Sequence, residues 1–192
     1  MRTFKAAGPR LIDTCCRLIL ALLILGAIAC HDVKSPSLST PEPTIEQRYL
    51  FDSYYVNFSW GYTLRGTFVD EQGNVIRYDH SFEQWTAANF DSLSRAELDE
   101  KFIAPTDTIA HIDRATLLQM YKLIEPASQG ELSEREFMGP DQGGSTRICY
   151  RYDEETDHYI KVLLSLTGTY RQTNLSEAAM VLDDWFRSVL AD

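Results

Sequence analysis

The residues able to do chemistry are thinly spread along this chain. His80, His111 and His158 stand in separate segments, so an acid/base or metal role would need the fold to bring them together. Their neighbours place them instead at a strand end, just ahead of a helix cap at Asp113, and just after an acidic turn. Asp153, Glu155 and Asp157 alternate as the first ligands of a calcium loop do. His158 then occupies the place that needs glycine and Leu164 the place that needs a bidentate glutamate, so the stretch reads as a solvated hairpin tip. Asp141-Gln142-Gly143-Gly144-Ser145 is more promising, because adjacent glycines ahead of a strand let backbone amides approach a ligand. Asp141, Gly143 and Gly144 therefore form the candidate ligand loop. Cys149 lies in Arg-Ile-Cys-Tyr-Arg-Tyr, the setting of a buried, inert thiol. The chain carries no Gly-x-Ser-x-Gly elbow, no His-Glu-x-x-His and no phosphate loop. No catalytic residue, metal or cofactor is implied, and binding is favoured over catalysis.

Aromatic residues supply a second candidate surface. Twelve of the chain's 22 lie between Tyr49 and Phe90. On alternating strand positions most belong to a core, and those that face outward, with Tyr55 and Trp85 as candidates, would make a recognition patch.

The charge is divided along the chain. Of the net −10 carried by 192 residues, residues 1–29 contribute +3, and the remainder, with 14 basic and 27 acidic residues, contributes −13. A pI near 4.8 argues against nucleic-acid binding, which needs a basic face. The basic leader runs into Leu18–Ala29, twelve residues without a polar side chain. As a helix these span about 18 Å, too short for a bilayer core of about 30 Å. The order of basic, apolar and small residues is that of a secretory signal peptide, residues 1–29.

The stretch Ala27-Ile28-Ala29-Cys30 resembles the lipobox of bacterial lipoproteins, with Ala27 where Leu is usual. That resemblance implies cleavage before Cys30 and acylation of its thiol. It also implies a membrane-anchored protein of the cell envelope, and His31 in place of Asp points to the outer membrane of a Gram-negative cell. Two or more acyl chains give a stable anchor. Residues 30–45, with Ser-Pro-Ser-Leu-Ser-Thr-Pro-Glu-Pro-Thr at Ser35–Thr44, read as an extended tether of about 30 Å. With Cys15 and Cys16 removed and Cys30 acylated, Cys149 is left with no intramolecular partner.

Residues 46–192 must then position any site, and they read as one α+β domain. Period-2 alternation from Tyr54 to Phe68 predicts one long strand, bent at Gly61 or Gly66. Asp70–Asn74 is a turn and Val75–Tyr78 the returning strand. Residues 92–127 read as two helices, one opened by the capping box Ser94–Glu97 and one starting after Asp113 and closed by Pro126. Gln129–Gly144 is a polar loop. A second hairpin turns at Asp153–Asp157, and a closing helix from Asn174 or Ser176 buries Leu175, Ala178, Ala179, Leu182, Trp185, Phe186 and Val189. The expected architecture is a two-layer fold, an antiparallel sheet of four to five strands against about three helices. The expected function is a non-catalytic envelope lipoprotein whose domain binds another envelope protein, a glycan or an apolar ligand. The rival readings are an anchored hydrolase using a histidine with Asp141 or Asp113, and an acidic inhibitor or immunity protein steered to a basic partner.

Overall fold

The computed structural model describes residues 44–59, 61–80, 91–103 and 106–191. The leader, Cys30, almost all of the tether and Trp85 lie outside the described residues. In chain order the elements are β1 (Tyr49–Asn57), β2 (Thr63–Asp70), β3 (Asn74–His80), β4 (Ser92–Ser94), α1 (Arg95–Lys101), β5 (Thr106–His111), α2 (Arg114–Tyr121), α3 (Ile124–Ser128), β6 (Glu136–Phe137), β7 (Gly144–Asp153), β8 (His158–Gly168), β9 (Tyr170–Thr173) and α4 (Glu177–Ala191). All belong to one unit, Pro43–Asp192. Among the described residues no helix is long and apolar enough to cross a membrane.

The fold is α+β, built on an antiparallel sheet in the order β5-β3-β2-β1-β7-β8-β9-β6, with β4 pairing the first half of β8. Nine strands among the described residues replace the four to five expected. Two of the additions have a simple cause. Tyr54–Phe68 is not one bent strand but two strands joined through a turn containing Gly61 at φ +105°. Val56 pairs with Leu64 and Tyr54 with Gly66, so even-numbered residues of both strands share a face and the alternation runs on through the turn. The expected helix before Asp113 is short, and Thr106–His111 is an edge strand on β3 instead. Its Thr-x-Thr-Ile run suits a pleated surface, and a register shift leaves Ile109 as an extra residue opposite Val75 and Ile76.

The helix ends follow local chemistry. The Ser94–Glu97 capping box forms, and Asp113 accepts from the amides of Ala115 and Thr116. Pro126 does not close α2; Lys122 and Leu123 do, and Pro126 lies in the first turn of α3, where its missing N–H is not needed. Ser176 caps α4 through the amide of Ala179. The helix buries Ala179, Leu182 and Phe186, whereas Leu175 precedes it and is exposed.

The sheet is covered on both faces, so the fold has three layers rather than two. Consecutive residues such as Phe68 and Val69, or Ile148 and Cys149, are both buried because each face has its own core. On one face α2, α3 and α4 pack on Leu50, Val75, Cys149 and Leu164. Asp183 of α4 anchors this layer, accepting from Arg147 Nε and Ser165 Oγ at 2.6 Å each and pairing with Arg187. Burial alone would raise its carboxyl pKa, but these bonds hold it below the ordinary value.

The other face carries an aromatic core under α1, in which Phe102 stacks on Phe68 at 3.9 Å between centroids and Tyr49 packs edge-on to Tyr159. Inside it lies an ion pair, Asp52 of β1 with Lys101 at the end of α1, both almost fully buried. Tyr78 and Tyr150 donate to Asp52 at 2.8 and 3.0 Å. Burial, and then the Asp52 charge, push both phenols far up, so they stay protonated and able to donate. Tyr78 reaches Asp52 across Gly66, where a Cβ would come within 2.6 Å of the Tyr78 ring and 2.5 Å of the Ser53 carbonyl.

Removing one member of a buried pair leaves the other uncompensated. Lys101→Met should therefore cost about 3–5 kcal/mol in urea unfolding. Adding Asp52→Asn, which removes the stranded charge but keeps an acceptor for the tyrosines, should recover part of that loss. A single-variant cost below about 1 kcal/mol, the scale of an exposed pair, would contradict the arrangement.

Candidate functional site

The aromatic core covers only part of its face. Beyond the Asp52–Tyr150 level the strands carry smaller side chains, and a cleft of about 1000 Å³ opens over β1, β7 and β8. Its floor is Tyr54 and Val56 from β1, Thr146 and Ile148 from β7, and Leu163 and Leu166 from β8. The register that pairs Tyr54 with Thr146 and Ile148 with Leu163 puts these on one face. Gly144 leaves room on this floor: a Cβ there would lie 3.7 Å from Leu166 and 3.9 Å from Val56, in ordinary contact with two floor residues.

The inner end is polar and rests on the buried pair. The Tyr54 ring lies 4.7 Å from Lys101 Nζ, and burial followed by Asp52 pushes its hydroxyl up to about 12. Lys161 lines the cleft from β8, with its amide bonded to the Asp91 carbonyl at 2.8 Å. Desolvation, and then the positive charge of Lys101, bring its amine down to about 8, against the opposing pull of Asp52, Asp91 and Glu97.

The mouth is aromatic. Phe137 of β6 and Tyr170 of β9 meet edge to face at 5.6 Å, and the Arg135 guanidinium lies 4.2 Å over the Tyr170 ring. Phe58, 63% exposed, stands at the tip of β1, and Phe137 is 60% exposed. Asp141 accepts from Ser59 Oγ at 3.0 Å, which ties the loop before β7 to the β1 tip.

The residues singled out from the sequence fall in different places. Asp141, Gly143 and Gly144 all line the cleft, but they do not form an open amide cradle. Gly143, at φ +67°, is wedged against Tyr55 Oη and the Val56 carbonyl, at 2.6 and 2.8 Å from a hypothetical Cβ. Its own carbonyl accepts from Thr169 at 2.8 Å. Tyr55 lies on the opposite face of β1 from Tyr54, half-buried and bonded to Asn57, and is not a lining residue. His80 is buried with Nε2–H donating to the Lys101 carbonyl, His111 bonds Asn74, and His158 bonds the Thr156 carbonyl at 2.6 Å. None of the three lines the cleft. Cys149 is buried on the helix side of the sheet, with its thiol pushed up by desolvation. Among the described residues no group of three or more His, Cys, Asp or Glu is placed to hold a metal ion.

Sequence reasoning missed Lys161, Tyr54 and the Phe137–Tyr170 pair. Lys161 did leave a trace, as the one charged residue in Tyr-Ile-Lys-Val-Leu-Leu. Phe137 and Tyr170 left none, because the strands that join them are two and four residues long.

The two neighbouring glycines should respond differently to one methyl group. Gly143→Ala meets both a left-handed backbone and a clash, and should lose about 1–3 kcal/mol in urea unfolding. Gly144→Ala should stay within about 0.5 kcal/mol of the parent. Equal losses would contradict the assignment of Gly143 to packing and Gly144 to the floor.

No protein-family model, no curated protein and no solved structure matches the chain.

Proposed function

We propose that this protein is an exported, lipid-anchored binding module, and that the cleft over β1, β7 and β8 receives a small ligand. The observation that carries the reading is the cleft itself: about 1000 Å³, with Val56, Ile148, Leu163 and Leu166 on its floor, aromatic side chains at its mouth, and polar groups, among them Asp91, Arg135, Asp141, Lys161 and Gln172, sharing the lining. Ligand pockets combine apolar surface with placed polar groups in this way, and their volumes reach this range. A small ligand is favoured over an envelope protein by the volume of the cleft and by the apolar side chains on its floor. Binding is favoured over the anchored-hydrolase reading because none of His80, His111 and His158 lines the cleft beside Asp141. The anchor is supported by the sequence of residues 1–30 alone, where a basic leader and an apolar run end in Ala-Ile-Ala-Cys.

Two experiments test the two halves. Metabolic labelling with palmitate should mark the wild type and leave Cys30→Ser unlabelled; an unlabelled wild type would remove the anchor. For the cleft, Nile red should brighten and shift to the blue with the wild type. Gly144→Phe places a ring on the floor without a backbone penalty, and should abolish the response while the thermal transition moves by only a few degrees. A response unchanged by Gly144→Phe would place the apolar site elsewhere.

A further inference from the structure

We infer that the ligand of the cleft is a neutral oligosaccharide, with one sugar ring seated on Phe137 at the mouth and the chain continuing inward over the floor. This rests on the binding-module reading and specifies its ligand. Three exposed apolar side chains, Phe58, Leu132 and Phe137, stand round the one opening. Scattered singly such residues mean little, but gathered at the mouth of a cleft they mark a recognition surface.

Hydrogen-bonding groups of both kinds are set among these apolar side chains. The Arg135 guanidinium rests on the Tyr170 ring and, among the described residues, holds no hydrogen bond or ion pair, so its N–H groups are available as donors. Asp141 accepts from Ser59 through Oδ1, which leaves Oδ2 as an acceptor. Gln172 donates to the Ser133 carbonyl at 3.1 Å, and its side-chain oxygen is a second acceptor. All three side chains line the cleft together with Phe137. They come from three segments that the fold joins here: the flank of β6, the loop ahead of β7, and β9, which pairs with β6 through Tyr170 and with β8 through Gln172.

The ligand must therefore offer apolar carbon and hydrogen-bonding groups over the same small area. A sugar ring does so: its C–H bonds make a flat face suited to an aromatic ring, and its hydroxyls, each both donor and acceptor, project round the edge. An acyl chain filling the cleft would take water from Arg135, Asp141 and Gln172 and return no hydrogen bond, which leaves those groups unsatisfied. A charged ligand finds no excess of the opposite sign, since the charged side chains of the described lining are Arg135 and Lys161 against Asp91 and Asp141. An acidic sugar also meets the net −10 of the whole chain. At about 1000 Å³ the cleft lies at the upper end of the range for small-ligand pockets, which gives room for several rings.

The test uses the chain from His31 onward, which keeps the tether and the whole Pro43–Asp192 unit while avoiding detergent that would compete for the cleft. Gathered into tetramers on streptavidin so that weak contacts register, it is applied to a printed array of neutral, sialylated and sulfated glycans. Neutral glycans should bind best. The best of them is then titrated calorimetrically as a free oligosaccharide and as the polysaccharide that contains it; binding of both supports recognition of an internal segment, and binding of the oligosaccharide alone supports recognition of a free chain. Phe137→Ala should weaken binding about tenfold and Arg135→Ala several-fold. Both positions are exposed, so the thermal transition should move by only a few degrees, and Met180→Ala on the exposed side of α4 should bind as the parent does. An array on which no neutral glycan binds, or binding unchanged in both Phe137→Ala and Arg135→Ala, would overturn the saccharide assignment. Equal binding of sialylated or sulfated glycans would overturn its neutrality. A Nile red response that Gly144→Phe abolishes would then leave the binding-module reading standing, whereas failure of Nile red as well would overturn both.

Discussion

The Asp52–Lys101 pair fixes more of this structure than any other contact. Two charges removed from water are tolerable only where geometry and further bonds compensate their desolvation. Here two buried phenols donate to the carboxylate, and the faces of Tyr54, Tyr78 and Phe102 lie within 4.7 to 5.6 Å of the ammonium. Each requirement constrains another part of the chain. Tyr78 can reach Asp52 only because Gly66 has no side chain. Lys101 must end α1 over the middle of the sheet, and the bond from His80 to its carbonyl ties that end to β3. The aromatic layer gathers around this point and stops at Tyr54. The cleft begins where that layer ends, so its position follows from the buried pair.

The two faces of the sheet do different work. The helix side is sealed by aliphatic packing and by Asp183, which joins α4 to β7 and β8 through Arg147 and Ser165. The other side joins polar to apolar, with charged groups at the inner end, branched residues on the floor and aromatic rings at the mouth. Gly143 and Gly168 let the start of β7 and the end of β8 approach closely, since a Cβ on Gly168 would lie 2.3 Å from the Gly143 carbonyl. That contact holds the mouth loop in place, and it explains why the glycine pair reads from sequence like a ligand cradle when half of it is packing.

Much of the local structure was legible in the sequence. Capping residues Ser94 and Asp113, the turn at Asp70–Asn74, the hairpin at Asp153–Asp157 and the buried stripe of α4 are written within a few neighbouring residues. What was not legible depends on register. The alternation through Tyr54–Phe68 concealed a turn because the pairing of even with even residues preserves its phase. Residues Thr106–His111 are a strand because β3 offers an edge, which no local pattern reveals. The third layer was hidden because a strand buried on both faces resembles any apolar run. The cleft needed all of these at once. Lys161, Tyr54 and Thr146 meet only when three strands are in register, and Phe137 and Tyr170 only when two very short strands pair.

The central claim is that one face of the sheet, past the buried ion pair, is a ligand site. Amide chemical-shift mapping of the chain from His31 onward during titration with the neutral oligosaccharide best bound on the array tests it most directly. Shifts concentrated on Tyr54–Asn57, Arg135–Phe137, Gly144–Ile148 and Lys161–Leu166, with those of α4 unmoved, are the result predicted. Shifts centred on α4, or none anywhere, would contradict it.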